Sequence, residues 1–147
     1  MRGFKIAKGF ENSGVNLPER ATAHAAGYDF EAASDFVIEP GKIGVVPTGI
    51  KSYMEADEFL QLCNRSSNPK KRGLALANGV GIVDSDYYEN PDNDGAIGFL
   101  LMNITDAPVE IKKGERIGQG IFIKYLLAEG DEFSGASRDG GFGSTGK

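Results

Sequence analysis

The stretch "AIGFLLMNITDAPVEIKKGERIGQGIFIKYLL", residues 96–127, decides the fold class of this chain. Its apolar residues come in short runs, which are divided by the turn residues Thr105-Asp106 and Lys113-Gly114. Short apolar runs that are rich in β-branched and aromatic residues, with turn signals between them, are typical of β-strands. The stretch therefore predicts two or three consecutive strands.

The same pattern covers most of the remaining chain. Further short apolar runs are "FKIAKGF" (4–10), "YDFEAA" (28–33), "DFVIEPGKIGVVPTGIKSYM" (35–54) and "EFLQLC" (58–63). The longest of them is broken at residues 40–41 and 47–49, where Pro and Gly occur. Many short strands with Gly and Pro breaks predict an all-β sandwich, barrel or jelly roll. The 21 glycines fit such a fold better than a helical one.

Only one segment, "SSNPKKRGLALAN" (66–78), indicates a helix, of one or two turns. Ser66 or Ser67 is placed to cap its start, and Gly73 is placed to end it. Arg65 comes directly before these hydroxyls, and an Arg beside hydroxyls and free N–H groups also suits phosphate oxygens. The sequence of this segment is consistent with both a plain helix cap and a phosphate site, and both interpretations stay open.

The length and charge of the chain exclude several classes of protein. At 147 residues, without a linker or a repeat, it forms one domain of ordinary size. Its 16 basic and 21 acidic residues give a net charge of −5, which argues against a nucleic-acid-binding surface. No apolar stretch reaches the ~18 residues of a membrane span, and no signal peptide opens the chain. We expect a cytoplasmic protein without a nucleic-acid or membrane partner.

The chain ends with "GGFGSTGK", residues 140–147, which has the G-x-x-x-x-G-K spacing of a phosphate-binding P-loop. A P-loop needs a strand before it, a Ser or Thr after the lysine and then a helix, and this segment has none of them. Its glycines and serine instead predict a flexible terminus. Phe142 is unusual in such a terminus, because a solvated linker has little use for a large apolar ring.

The segment "GVGIVDSDYY", residues 79–88, places Asp84 at the end of an expected strand and Asp86 two residues later. In a continuing strand both carboxylates would face one way, and paired acids of this kind serve as a general base or a metal site. A solvated acidic loop is the alternative. An EF-hand is excluded, because Leu101 stands where the twelfth position needs a Glu.

Five segments, in this order, resemble the five motifs of the trimeric dUTPase family. They are "AAGYDF", "RSSN", "NGVGIVDSDY", "GERIGQGIF" and "RDGGFGSTG", and they span residues 25–146. The resemblance implies a jelly-roll-like β-barrel with one short helix, formed by residues 1–136, and a mobile Gly-rich arm at 137–147. It also implies a homotrimer with active sites at its subunit interfaces. The implied reaction is the Mg²⁺-dependent hydrolysis of dUTP to dUMP and pyrophosphate, which limits uracil incorporation into DNA.

The resemblance also implies a role for each matching residue on the phosphate and metal side of the site. Asp29 matches the acid that holds Mg²⁺ through its water shell. The residues that match phosphate ligands are Arg65, Ser66, Ser67, Gln119 and, in the arm, Arg138, Ser144 and Thr145. The family's arm reaches the site of a neighbouring subunit, so we expect this arm to act in trans.

On the nucleoside side, Asp84 matches the acid that contacts the sugar and activates the attacking water. Asn78 matches the amide that reads the uracil edge, together with main-chain groups near Ile82 and Val83. Tyr87 matches the ring that packs under the deoxyribose and leaves no room for a 2′-hydroxyl. In the arm, Phe142 matches the ring that stacks on uracil.

The sequence departs from the family pattern in four places. Asn64 stands where the family often has Pro, and Gly79 replaces a common Ser. The segment 87–99 is longer than the usual turn after the catalytic acid, and Arg138 and Phe142 are four residues apart where many members have five.

Two other functions remain as alternatives. A dCTP deaminase shares the fold, but it needs a Glu base and a different sequence after the catalytic strand. A non-catalytic nucleotide-binding or regulatory member of the family is the second alternative, and the intact Asp84 argues against it.

Overall fold

The computed structural model describes residues 1–133. Arg138, Phe142, Ser144, Thr145 and the whole predicted arm lie outside the described residues. Within 1–133 the chain forms strands β1 (Gly3–Ile6), β2 (Tyr28–Glu31), β3 (Phe36–Ile38), β4 (Ile43–Pro47), β5 (Ile50–Tyr53), β6 (Glu58–Cys63), β7 (Leu74–Leu76), β8 (Gly81–Asp84), β9 (Gly98–Asn103), β10 (Val109–Ile111) and β11 (Arg116–Lys124). The all-β prediction is confirmed, and the opening stretch forms three strands, β9 to β11.

The strands pair in four antiparallel sheets. Their strand orders are β2-β11-β6-β8, β4-β9-β7, β1-β5 and β10-β3. Among the described residues these sheets do not join into one continuous hydrogen-bonded barrel. The four-stranded sheet matters most for function, because β2, β6, β8 and β11 carry or flank the predicted site residues.

The core lies between the sheets and follows the alternation of their strands. In β9, Phe99, Leu101 and Asn103 are buried, and the residues between them are half-buried. Strand β11 turns Gly118 inward against the Phe99 ring, where a Cβ would overlap with the ring. The glycine is therefore needed for the close approach of strand and ring, and the alternation places the neighbouring Gln119 on the opposite face.

The predicted helix exists but is a single π-helical turn, Asn68–Arg72. Ser67 occupies its N-cap position, although its side chain makes no capping hydrogen bond to the described residues. Gly73 ends the turn, as predicted, with a left-handed φ of 65°, and its N–H donates to the Asn68 main-chain oxygen. The residues that follow form strand β7, which the sequence did not predict.

The strand that would have placed Asp84 and Asp86 on one face does not continue to Asp86. Strand β8 ends at Asp84, and Ser85–Tyr87 form a 3₁₀ turn. The two-residue alternation of a strand therefore does not reach Asp86. A pair of carboxylates on one strand face does not form here, and Asp84 stands as the strand's own terminal acid.

Candidate active site

Four side chains meet at one end of the four-stranded sheet, and we call them the arginine corner: Asp29, Arg65, Arg116 and Gln119. Arg65 Nε lies 3.9 Å from Asp29 Oδ1, and an Arg116 terminal nitrogen lies 3.7 Å from Asp29 Oδ2. The Asp29 side chain is only 18% exposed. Two guanidinium groups thus converge on one carboxylate, and this is an arrangement that can also receive phosphate oxygens.

Strand pairing explains how the corner forms. Gln119 in β11 lies opposite Asp29 in β2 on one side and opposite Cys63 in β6 on the other. Arg65 lies two residues after the end of β6. The ladder therefore brings the first, second and fourth sequence motifs to one place, as the resemblance implies.

A β-bulge in β11 adds Arg116 to this corner. Arg116 lies opposite Glu31 and Gln119 lies opposite Asp29, so β11 holds one more residue than β2 over this interval. On a regular strand, residues three positions apart point to opposite faces of the sheet. The extra residue of the bulge brings two such residues to the same face. Regular strand alternation does not predict Arg116 beside Gln119, because it does not include the bulge. The positive charge directly before "IGQG" was the signal in the sequence that could have indicated it.

Asn64 links Arg65, Asn68 and Gln119 through hydrogen bonds. Its Oδ1 accepts from the Arg65 N–H at 2.9 Å and from Asn68 Nδ2 at 2.7 Å. Its Nδ2 donates to the Leu74 oxygen at 3.1 Å, and its main-chain oxygen accepts from Gln119 Nε2 at 3.1 Å. This residue departs from the family pattern, and the structure gives it a positioning role that a proline could not fill with a side chain.

The two serines of the second motif lie in the turn after Arg65. Ser66 is exposed and Ser67 is half-buried. Because the helix does not use the Ser67 hydroxyl as a cap, the cap interpretation of these serines loses its main support.

A cavity of ≈ 320 Å³ adjoins the corner and is lined by Asp29, Arg116 and neighbouring polar residues that include Asn16, Glu19 and Glu31. Its volume is in the range of sites that hold small molecules. The corner therefore has open space in front of it.

The remaining described candidates lie on β8 or beside one of its ends, and we call them the β8 edge: Asn78, Ile82, Val83, Asp84 and Tyr87. Ile82 and Asp84 are exposed on the outer face of β8, whereas the Val83 side chain is buried in the core. Strand β8 is the last strand of its sheet, so one edge of its main chain faces away from β6. The predicted contribution of Val83 is therefore restricted to its main chain.

Asn78 and Tyr87 flank this strand. Asn78 is exposed in the turn between β7 and β8, where Gly79 has a φ of 73°. A residue other than Gly is rare in this conformation, which explains why glycine replaces the common serine. Tyr87 is 8% exposed, and its ring joins the core.

The arginine corner and Asp84 of the β8 edge lie at different rows of the four-stranded sheet. Gln119 lies opposite Cys63, whereas Asp84 lies opposite Phe59, four residues earlier on β6. At the usual strand dimensions the two rows are ~13 Å apart along the strand and ~10 Å apart across the sheet. Within one copy, Asp84 therefore lies well away from the arginine corner.

Lys51 and two acids form an ion-pair cluster near Tyr87. Lys51 Nζ lies 3.1 Å from Glu89 Oε1 and 2.8 Å from Asp94 Oδ2. The hydrogen bond from Lys51 is the main cause that lowers the pKa of both carboxyls below their usual values. Burial acts to lower the pKa of Lys51, but its bonds to Asp94 and Glu89 outweigh burial and raise that pKa above 10.5. The cluster is therefore charged throughout the neutral range.

The comparisons of this chain with known proteins agree on one family. The dUTPase family model matches residues 14–146. A deoxyuridine 5'-triphosphate nucleotidohydrolase of Lactococcus lactis subsp. lactis is 51% identical over 147 residues, which cover 99% of this chain and 98% of that protein. One from Rickettsia prowazekii is 40% identical over 148 residues, with 97% and 95% covered.

Solved structures agree with the sequence comparisons. The crystal structure of dUTPase from Streptococcus mutans has a TM-score of 0.84 at 48% identity and covers 87% of this chain and 99% of that one. A mutant dUTPase from phage phi11 of S. aureus, at 18% identity and a TM-score of 0.72, covers 92% of this chain and 97% of that one and shows the likeness of the fold alone. These likenesses confirm the predicted jelly-roll fold. The chain therefore belongs to the dUTPase family, and it is a nucleotide hydrolase of that family.

Proposed function

We propose that this enzyme hydrolyses dUTP to dUMP and pyrophosphate and thereby limits uracil incorporation into DNA. The observation that carries the proposal is the arginine corner, where Arg65 and Arg116 converge on Asp29 beside an open cavity. Such a corner suits a triphosphate, which is a stable polyanion whose hydrolysis depends on positioning and charge neutralisation.

Asp84 is the proposed general base. It is an exposed carboxylate at the end of a strand whose Val83 side chain is fixed in the core. A carboxylate is ionised at neutral pH and can take a proton from water as its oxygen attacks phosphorus. The bond between the α- and β-phosphates then breaks, and pyrophosphate leaves from the arginine corner.

Magnesium fits this corner as a partner of the bound triphosphate. Within residues 1–133 no group of three Asp, Glu, His or Cys side chains is placed to hold a metal ion alone. Mg²⁺ usually keeps several waters and binds through one or two carboxylates and substrate phosphates. We propose that Asp29 holds it from the protein side, where it would add positive charge beside the phosphates. The phage phi11 dUTPase mutant structure reports coordination of a structural Mg(II) ion in that protein.

A homotrimer with interface sites is the assembly that we propose. The distance between the arginine corner and Asp84 supports it, because a second copy would supply the missing half of each site. The outer face of the sheet β4-β9-β7 also supports it. On that face Ile43 and Val45 are exposed, and Leu100 and Met102 are their half-buried partners. An exposed apolar sheet face of this kind favours contact with another protein surface.

Base and sugar selection are assigned to the β8 edge and the arm. Asn78 and the main chain at Ile82 and Val83 would read the uracil edge, and Tyr87 would exclude ribose. The arm residues lie outside the described residues, and their roles rest on the sequence: Arg138, Ser144 and Thr145 on the phosphates and Phe142 on the base. Removal of residues 137–147 should leave assembly intact and lower kcat/KM severely.

Release of pyrophosphate from dUTP tests the proposed function. We expect kcat/KM for dUTP to exceed the values for UTP, dCTP and dTTP by at least ~10²-fold, because the wrong base or sugar leaves site groups unpaired or in collision. Removal of Mg²⁺ with EDTA should abolish turnover, and added Mg²⁺ should restore it. Comparable rates with UTP or dCTP would contradict the roles of Tyr87 and Asn78.

Two further expectations stay predictions of the sequence. They are a cytoplasmic location and the absence of a nucleic-acid or membrane partner. In residues 1–133 no helix is long and apolar enough to cross a membrane.

A further inference from the structure

The segment after β8 departs from the family pattern in its length, and we call residues 88–96 the 88–96 loop. The loop is held by its own hydrogen bonds. The Asp94 N–H donates to the Asn90 oxygen at 2.7 Å, and the Ala96 N–H donates to the Asn93 oxygen at 3.1 Å. It is a folded unit with defined turns and can therefore hold another residue in place.

The 88–96 loop contacts the hydroxyl of Tyr87 directly. Asn93 Nδ2 donates to the Tyr87 hydroxyl at 2.6 Å, and this hydroxyl donates to the Ala96 oxygen at 3.3 Å. Asn93 Oδ1 accepts from the Gly95 N–H at 3.0 Å. Because only the amide oxygen can accept from an N–H, this bond fixes which end of the Asn93 side chain faces the tyrosine. The tip of the Tyr87 ring is thus held from two directions.

Lys51 ties the 88–96 loop to the sheet beneath it. Its side chain, only 10% exposed, reaches Glu89 and Asp94, and Asp94 Oδ2 also accepts from the Lys8 N–H at 2.7 Å. Glu89 and Asp94 have positive φ values of 55° and 60°. A non-glycine residue keeps this backbone conformation only where its surroundings enforce it. The two strained residues are the two partners of Lys51, so the ion pairs fix the shape of the loop.

We propose that Asn93 is a positioning residue for sugar specificity, which holds the Tyr87 ring where it excludes a ribose 2′-hydroxyl. Lys51 anchors the loop that carries Asn93. The inference rests on the proposed function, in which Tyr87 packs under the deoxyribose. Exclusion of a single oxygen atom requires a ring fixed to within a fraction of an ångström, since a ring that can retreat would admit the ribose.

The test is the ratio of kcat/KM for dUTP to kcat/KM for UTP in a double-mutant cycle. Asn93→Ala should lower this ratio by ~3- to 10-fold, the usual worth of one hydrogen bond. Tyr87→Phe keeps the ring and removes the hydroxyl, so it should lower the ratio by a similar factor. The double variant should be no worse than the stronger single variant, because the bond that Asn93→Ala removes is already lost in Tyr87→Phe. Tyr87→Phe keeps the inference testable if Asn93→Ala folds poorly.

Asp92→Ala is the matched control, because Asp92 is exposed in the same loop. It should leave the ratio unchanged. If Asn93→Ala lowers kcat/KM for dUTP and UTP by the same factor, its role is only structural and the inference is overturned. Independent, multiplying effects of Asn93→Ala and Tyr87→Phe would also overturn it.

Tyr87→Ala separates the inference from the proposed function. If the wild type prefers dUTP and Tyr87→Ala loses this preference while Asn93→Ala keeps it, the inference alone is overturned. If the wild type does not discriminate between dUTP and UTP, both are overturned.

Discussion

Asp84 shows how a strand presents one reactive group. Val83 points into the core and Asp84 points out of it, because neighbouring side chains on a strand alternate. The buried neighbour fixes the main chain that carries the acid. The sequence predicted this residue correctly as the end of the apolar run, and it erred only in extending the strand to Asp86.

We expect Asp84→Asn to keep dUTP binding and to lose most turnover. The amide has the shape of the carboxylate but cannot accept the proton of the attacking water, so kcat should fall by at least ~10²-fold. Binding is measured with a non-hydrolysable dUTP analogue, and turnover by pyrophosphate release. Asp92→Asn makes the same chemical change at an exposed loop position and should have little effect. A near-normal kcat in Asp84→Asn would show that another group is the base.

Single elements were more predictable than the contacts between them. Strand β6, Glu58–Cys63, coincides with the apolar run "EFLQLC". Such a strand can be predicted because its alternation and its flanking turn residues are features of the local sequence. The partners of β6 are β8 and β11, which are distant in the chain, and local patterns carry no information on such pairing. The bulge that adds Arg116 to the corner arises where β11 pairs with β2, and the short strand β7 forms by pairing with β9. The missed features are therefore those that tertiary pairing creates.

The 88–96 loop offers a prediction about pH. The lowered pKa values of Glu89 and Asp94 mean that their ion pairs stabilise the fold above the usual carboxyl pKa and lose that effect as pH falls through the lowered values. The raised pKa of Lys51 means that its contribution is full below 10.5 and is lost as pH rises through the raised value. The cluster should therefore stabilise the fold most between about pH 5 and pH 10.

Lys51→Met tests this window in urea unfolding experiments. The variant should be less stable than the wild type at neutral pH, because it leaves the partly buried Asp94 carboxylate without its cation. The difference in the free energy of unfolding should shrink as pH falls through the lowered pKa values of Glu89 and Asp94, because the carboxyls then become protonated in both proteins. Lys112→Met is the control, since the ion pair that Lys112 forms with Glu110 at 3.4 Å is exposed. A difference that stays constant across the pH range would contradict the assigned role of the ion pairs.

At the scale of the whole molecule, the distance between the arginine corner and Asp84 bears on how the proposed active site is assembled. The corner lies where β6 ends, and Asp84 lies beside Phe59, near the other end of the same strand. A rigid sheet cannot bring these two rows together by bending. We therefore propose that a second copy completes each site, and the apolar outer face of β4-β9-β7 favours association of such copies.

Mixing two inactive variants tests this composite site. Arg65→Ala damages the arginine corner, and Asp84→Asn damages the β8 edge. If each site takes its corner from one copy and its acid from another, random assembly of equal amounts leaves roughly one site in four with both parts intact. Refolding the two variants together should thus recover about a quarter of the wild-type activity, whereas each variant refolded alone should stay inactive. Native mass spectrometry of the mixture verifies that mixed trimers have formed. If they form and remain as inactive as the parents, each site is built within a single chain, and the distance between Arg65 and Asp84 must then be closed by a rearrangement of the sheet.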